Sequence, residues 1–124
     1  MVLRLRFGSL SYLFAGDIDK KDERLLQGRA AELQSAVVKV PRHGGPTASS
    51  EEFVSMVRPK LAIISAAGRI SGRPAREEVR ERYRSAGAEI LRTDEDGAII
   101  VETDGKTLRY TGYKSGKTGI VMLQ

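Results

Sequence analysis

The order of apolar segments along this 124-residue chain predicts an α/β fold with a mixed sheet, about three helices and a C-terminal hairpin. Short apolar runs alternate with stretches of helical spacing, which is the pattern of strands joined by crossover helices. After the last helical stretch, two strand-like runs flank Asp104-Gly105, a dipeptide typical of two-residue hairpin turns. Crossovers of this kind are right-handed and place neighbouring strands parallel, so most of the sheet is expected to be parallel.

The first half of the chain predicts a hairpin, a helix and a buried strand. Residues 3–7 alternate between apolar and basic side chains, Gly8-Ser9 turns the chain, and residues 10–15 are an apolar second strand. Residues 21–33 are rich in helix formers with leucines at helical spacing, which predicts one continuous helix. Residues 36–40 are a short β-branched run and predict a buried strand.

The second half predicts two more helices and the remaining strands. Ser49 or Ser50 is expected to cap a helix that ends at Val57, with Glu52 in position for a capping box. Pro74 suits the first turn of a third helix, which ends near Gly87. That helix would bury one face, formed by Val79, Tyr83 and Ala86. The remaining strands are predicted at residues 61–65, 89–92, 98–103, 106–110 and 120–123.

Composition predicts a single domain spanning residues 1–124. The chain is 40% hydrophobic and 30% charged, as globular proteins are, and its lack of cysteine excludes disulfides and thiolate zinc sites. Its longest apolar run, residues 61–67, is far shorter than a membrane span of about 20 residues. The sequence assigns no compartment, and any attachment to a membrane protein would come from another segment. The net charge of +5 permits attraction to phosphate-rich partners, although a mixed, solvated surface also accounts for it.

Three loops are expected to carry whatever chemistry the chain has, because functional groups gather where successive strands of such a sheet end. They are residues 16–19, residues 41–45 and residues 68–74. Each follows a strand and precedes a helix, so the three should lie along the same rim. Asp17 in the first loop and His43 in the second could share a metal ion, since carboxylate and imidazole both suit zinc, manganese or iron.

Each of these two residues also has a simpler interpretation. Asp17 could cap the following helix, and His43, the only histidine, could be a hydrogen-bonded loop residue. A catalytic metal generally needs about three protein ligands, so this pair cannot complete a site alone.

The sequence of these loops resembles the metallo-β-lactamase fold, and more narrowly the C-terminal domain of the ComEC competence proteins, which import DNA. The resemblance lies in the run Tyr12-Leu13-Phe14-Ala15-Gly16-Asp17-Ile18 and in the run Val37-Val38-Lys39-Val40-Pro41-Arg42-His43-Gly44-Gly45. It continues to the segment Arg92-Thr93-Asp94-Glu95-Asp96-Gly97 and covers about residues 2–104. The resemblance implies an αββα sandwich whose complete form holds zinc or manganese and hydrolyses phosphodiesters or related bonds.

The resemblance also implies an incomplete ligand set. Asp17 falls on the family's Gly-Asp aspartate, and His43 on the second histidine of its His-His-Gly-Ser segment. Arg42 replaces the first of those histidines, and Arg73 replaces the histidine of Gly-His-Pro. The family's main cluster, His-x-His-x-Asp-His, belongs to an N-terminal half that this sequence lacks. We therefore expect half of the sandwich, which holds no catalytic metal by itself.

The replacing arginines suggest a second function, because a guanidinium can bind a phosphate where a metal once did. The candidate phosphate-binding or nucleic-acid-binding residues are Arg42, Arg69, Arg73 and Arg76, named here the arginine rim. Loss of constraint on a solvated surface would explain the same replacements.

Three hypotheses therefore remain. The chain is a fragment or decayed relative of a ComEC-type hydrolase domain, a non-catalytic module that binds DNA weakly and without sequence preference, or a subunit that completes its fold only with a missing half. Half of a sandwich would also leave apolar sheet surface uncovered. We expect the missing N-terminal half or a second copy of the chain to cover this surface, which comprises Leu3, Leu5, Phe7, Leu10, Tyr12 and Phe14.

Overall fold

The computed structural model describes residues 1–66 and 76–123 and has the predicted α/β architecture with a mixed sheet. Five strands form the main sheet in the order β1-β2-β3-β4-β5. Their bounds are β1 Leu3–Phe7, β2 Leu10–Phe14, β3 Val37–Lys39, β4 Leu61–Ile64 and β5 Glu89–Arg92. The first pair is antiparallel and the other three pairs are parallel.

This sequential strand order determines where the helices lie. When consecutive parallel strands are neighbours, right-handed crossovers all return over the same face of the sheet. The helices are α1 Lys20–Leu25, α2 Ala30–Leu33, α3 Glu51–Val57, α4 Glu77–Ser85 and α5 Thr93–Asp96. Phe53 and Val57 of α3 and Val79 and Tyr83 of α4 pack with one face of the sheet in a single buried cluster. The opposite face has to be covered by something else.

A second sheet covers much of that opposite face. It consists of β6 Ile99–Thr103, β7 Thr107–Gly112 and β8 Thr118–Met122, paired antiparallel in the order β6-β7-β8. Leu108 and Tyr110 of β7 pack with Val37, Leu61 and Leu91 of the main sheet in a separate apolar cluster. The described chain therefore has three layers: helices, the main sheet and the C-terminal sheet.

The expectation of an uncovered sheet face is wrong for the part of that face that lies under the C-terminal sheet. Leu10, expected to be exposed there, is buried in the cluster beneath the C-terminal sheet. Tyr12 and Phe14 stack on each other and are half-buried. Leu3, Leu5 and Phe7 of the edge strand β1 remain exposed.

Several element predictions are wrong in detail. The continuous helix predicted over residues 21–33 is broken into α1 and α2 by a 3₁₀ turn, Gln27–Arg29, which contains Gly28. Glycine weakens a helix interior, and the apolar spacing there does not match burial, since Leu25 is exposed. Ala86, expected on the buried face of the third helix, is also exposed.

The cap and turn predictions also need correction. Ser50 caps α3 by accepting from the amide of Phe53, so Glu52 forms no capping box with it. The β6–β7 connection is longer than two residues because Thr103 pairs with Leu108, and the Asp104 carboxylate accepts from the amides of Lys106 and Thr107.

The short helix α5 was not predicted. Pro74 lies outside the described residues. Within residues 1–66 and 76–123, no helix is long and apolar enough to cross a membrane.

Candidate metal site

Asp17 lies at the carboxyl end of β2, just beyond Gly16, whose φ of 63° is in the left-handed region. The side chain is 81% exposed. Asp19, two residues further on, caps α1, because its carboxylate accepts from the amide of Asp22. The interpretation of Asp17 as the helix cap is therefore wrong, and its carboxylate remains on the rim.

The loop that follows β3 is a tight left-handed turn, Pro41–Gly44. Arg42 and His43 both have positive φ, 52° and 55°, and the amide of Gly45 closes the turn on the carbonyl of Arg42 at 2.9 Å. Each non-glycine residue with left-handed φ and ψ costs about 1–3 kcal/mol of conformational free energy, and such backbone strain occurs often at functional sites. The turn gives the two neighbouring side chains positions that an ordinary loop would not.

This turn is fixed directly to the Asp17 loop. The amide of Arg42 donates to the carbonyl of Gly16 at 3.0 Å, and Arg42 Nε donates to the carbonyl of Asp17 at 3.0 Å. Two of the three loops predicted to share a rim therefore meet, as the strand-end rule requires.

His43 and Asp17 face each other across this junction. His43 Nε2 lies 4.0 Å from Asp17 Oδ1, and the imidazole is 66% exposed. The other ring nitrogen, Nδ1, lies 2.8 Å from the carbonyl oxygen of Ser65 at the end of β4. A carbonyl can only accept, so Nδ1 carries a proton, and in the neutral imidazole Nε2 then holds the lone pair on the side of Asp17. Metal-ligating histidines commonly have this arrangement, in which a backbone carbonyl fixes the tautomer.

The pair can contribute two donors to a metal ion and no more. Two ligands about 2.1 Å from a tetrahedral metal lie about 3.4 Å apart, so a small rotation of either side chain would suffice. Within residues 1–66 and 76–123, no group of three histidine, aspartate or glutamate side chains is suitably placed to hold a metal. Arg42 adds positive charge nearby. The hydrogen bond from the amide of Asp22 lowers the pKa of Asp19, and the charge of Arg42 lowers it further.

The arginine rim is partly described. Arg42 and Arg76 are both exposed, and the amide of Arg76 donates to the carbonyl of Gly44 at 3.1 Å. The start of α4 is thereby joined to the turn that carries His43. Arg69 and Arg73 lie outside the described residues.

Sequence reasoning missed the residues that support the loop between the Pro41–Gly44 turn and α3. Glu23 of α1 is buried, with 1% of its surface exposed, and its carboxylate accepts from the amides of Ser49 and Ser50. Ser49 Oγ lies 2.9 Å from the hydroxyl of Tyr83, and burial of that phenol raises its pKa. A glutamate in a polar helical stretch is normally on the surface, so no local pattern could have identified Glu23.

Ser65 and Thr93 are two further residues at this end of the sheet that the sequence did not indicate. Ser65 acts through its backbone carbonyl, which carries no side-chain signal. Thr93 Oγ1 accepts from the amide of Ala66 at 2.9 Å and donates to the carbonyl of Ala66 at 3.0 Å.

Comparison with known proteins identifies relatives among competence proteins. The chain is 30% identical over 99 residues to ComE operon protein 3 of Bacillus subtilis, a match that covers 80% of the chain. It is 36% identical over 99 residues, 79% of the chain, to competence protein ComA of Neisseria gonorrhoeae. It is also 27% identical over 114 residues to the uncharacterized protein YcaI of Escherichia coli, covering 91% of the chain.

These matches span only 13% to 15% of the length of the relatives. No family model and no solved structure matches the chain. The matches agree with the resemblance that the motifs at Asp17 and His43 indicate. The chain therefore belongs, as a segment, to the ComEC-type competence proteins.

Proposed function

We propose that this chain supplies the Asp17–His43 half of a metal site in a metallo-β-lactamase-like hydrolase domain, and that it is inactive by itself. One observation carries the proposal: with His43 Nδ1 bonded to the Ser65 carbonyl, Nε2 lies 4.0 Å from Asp17 Oδ1 and, in the neutral imidazole, is the nitrogen that holds the lone pair. In the neutral imidazole, Nε2 and the Asp17 carboxylate are two donors on the same side of the rim, which is what a shared metal ion requires.

The layer order supports the same proposal. Helices, a main sheet and a second sheet lie in sequence, which corresponds to three of the four layers of an αββα sandwich. The exposed β1 and the small share of each relative that the chain spans leave room for further strands and ligands from another segment.

In the complete domain, bound zinc or manganese would supply activated water for the hydrolysis of phosphodiesters such as those of DNA. Asp17 and His43 would hold the ion from one side. The Ser65 carbonyl would keep the imidazole in the tautomer that leaves Nε2 available, and Arg42 would lie beside the substrate's negative charge.

Zinc titration of the ¹⁵N-labelled chain tests this half-site, because His43 gives the only imidazole signals. We expect saturable zinc-induced shifts of Nε2, and well under one retained ion per chain after dialysis against zinc and manganese. Asp17→Asn should weaken the response at least about tenfold. Glu32→Gln, which alters an exposed carboxylate on α2, should leave it unchanged. Zinc shifts that are absent, or equal in both variants, would exclude the half-site.

A second candidate function, weak DNA binding, is favoured by the position of two described rim arginines. Arg42 and Arg76 flank Gly44, and both side chains are exposed. The sequence has seven aromatic residues (three Phe and four Tyr), too few for a base-stacking platform, so binding would come from phosphate contacts.

Salt-dependent DNA binding tests this second candidate. Each neutralised phosphate contributes a slope of about –0.9 in log K against log salt, so four rim arginines give about –3 to –4. Arg42→Ala with Arg76→Ala should make the slope shallower by about 1.8, whatever the DNA sequence. The matched pair Arg29→Ala and Arg58→Ala removes the same charge elsewhere and should change it less. Equal effects would mean that net charge, not the rim, attracts DNA.

A further inference from the structure

One peptide group links the end of β5 to the imidazole of His43. This group is the planar unit formed by the carbonyl of Ser65 and the amide of Ala66. The amide of Ala66 donates to Thr93 Oγ1 at 2.9 Å, and the carbonyl of Ser65 accepts from His43 Nδ1 at 2.8 Å. Since the carbonyl and the N–H of a trans peptide point in opposite directions, Thr93 and His43 lie on opposite sides of this group.

The hydroxyl of Thr93 makes a second contact with the same residue. It donates to the carbonyl of Ala66 at 3.0 Å while accepting from the amide of Ala66. The β4–β5 ladder ends at the pair Ile64 and Arg92, so Thr93 lies one residue and Ala66 two residues beyond it. The hydroxyl therefore continues the attachment of β4 beyond the last paired residues and restricts rotation of the Ser65–Ala66 peptide group.

Thr93 itself is held by a buried network at the start of α5. The amide of Arg92 donates to Asp96 Oδ2 at 2.7 Å, and the amide of Gly97 donates to the carbonyl of Thr93 at 3.1 Å. The guanidinium of Arg92 makes a two-point contact with Asp94, at 3.0 and 2.6 Å. These contacts fix the turn and therefore the direction of the Thr93 hydroxyl.

We propose that Thr93 is a positioning residue for His43: by fixing the Ser65–Ala66 peptide group, its hydroxyl selects the Nδ1–H tautomer and leaves Nε2 available. Donation from Ala66 to Thr93 also polarises the Ser65 carbonyl and makes it a better acceptor for Nδ1–H. Only the consequence for a metal rests on the proposed function, since the tautomer is a property of the chain alone.

The tautomer of His43 is directly measurable by ¹H–¹⁵N correlation spectra at about pH 8.5, above the reference pKa of imidazole. We expect the wild type and Thr93→Ser to show the Nδ1–H form. Thr93→Val keeps the shape but removes the hydroxyl, and should shift the population towards the Nε2–H form that predominates in free histidine. Thr118→Val removes a hydroxyl that donates to the Tyr110 carbonyl in the C-terminal sheet, and should leave the tautomer unchanged.

The outcomes separate this proposal from the metal hypothesis. An Nε2–H tautomer in the wild type would overturn it even if Thr93→Val failed to fold. A folded Thr93→Val that retains the full Nδ1–H form would overturn it as well. If zinc binds, Thr93→Val should weaken affinity about 10–100-fold and Thr93→Ser should restore it. A tautomer shift in a chain that binds no zinc would support the role of Thr93 while refuting the half-site.

Discussion

The carboxylate of Glu23 lies against the backbone amide of Ser49, with Oε2 only 2.5 Å from the amide nitrogen. The other oxygen accepts from the amide of Ser50 at 2.9 Å. Ser49 has a φ of 61°, so the carboxylate holds together a strained turn at the start of α3. The amide of Lys20 donates to the carbonyl of Thr47 and attaches the same loop to α1. The loop that presents His43 therefore ends on a buried anchor.

Glu23→Ala should strongly destabilise the fold. It leaves two backbone amides without acceptors and a cavity beneath α3, so we expect a loss of about 3 kcal/mol in the free energy of unfolding. Urea unfolding followed by circular dichroism measures it. Glu32→Ala, at a side chain that is 70% exposed, should change the same quantity by less than about 0.5 kcal/mol. Similar losses in both variants would show that Glu23 is no anchor.

Arg42→His should tighten zinc binding. The side chain of Arg42 already reaches Asp17, where Nε contacts the backbone carbonyl, so a histidine there adds a third donor and removes a repelling cation. We expect zinc affinity to rise at least about tenfold in calorimetric titration, because two-ligand sites are incomplete.

The matched control for that substitution is Arg58→His. Arg58 is an arginine with positive φ, 50°, at the end of α3, so the change carries the same charge and similar backbone demands. Its zinc affinity should stay at the wild-type value. An Arg42→His variant no tighter than this control would contradict the placement of Asp17 and His43 as ligands.

Stability should fall in acid partly through Asp94. The hydrogen bonds from Arg92 lower the pKa of this carboxyl in the folded state. Its contribution is therefore present above the unfolded pKa of about 3.9 and is lost as pH falls through the lower folded pKa. Asp94→Asn should be less stable at neutral pH and show a shallower loss of stability below about pH 4. An unchanged acid profile in chemical unfolding would contradict this assignment.

The row of Leu3, Leu5 and Phe7 on β1 should bind apolar dyes or mediate self-association. These side chains are 53%, 48% and 57% exposed along an edge strand, which is an arrangement that proteins usually cover. Leu5→Lys should reduce dye fluorescence and any concentration-dependent sedimentation. Ile120→Lys, at a site that is 64% exposed on β8, is the control and should do so less. A monomeric wild type without dye binding would argue against a covered edge.

Much of the main sheet was predictable because its signals are local. Buried parallel strands such as Leu61–Ile64 require continuous apolar runs, and the sheet-end rule brought Asp17 and His43 to one rim without any knowledge of their distance. The prediction of one continuous first helix was wrong because it also rested on local signals. Leucine spacing indicates a possible buried face, but it cannot show that α1 buries Glu23 and exposes Leu25.

The C-terminal strands and the pairing of β6 with β7 were predicted, but their separation from the main sheet as a second sheet was not. Hairpin signals specify pairing within β6, β7 and β8. Whether these strands form a separate sheet depends on which apolar face of the main sheet the helices leave uncovered. That face exists only because the sequential order β1-β2-β3-β4-β5 places the helices on the other side.

By itself, the sequence determined the α/β class, most of the strands and the two candidate ligands, since periodicity, turn residues and the motifs around Asp17 and His43 are properties of neighbouring residues. Only the tertiary structure decided which nitrogen of His43 faces Asp17. That choice depends on the carbonyl of Ser65, which reaches His43, and on the hydroxyl of Thr93, which contacts Ala66. Both contacts join strand ends that come together only when β3, β4 and β5 are paired. Hydrogen bonds between distant segments have no periodic signature, so they appear only once the sheet has brought those segments together.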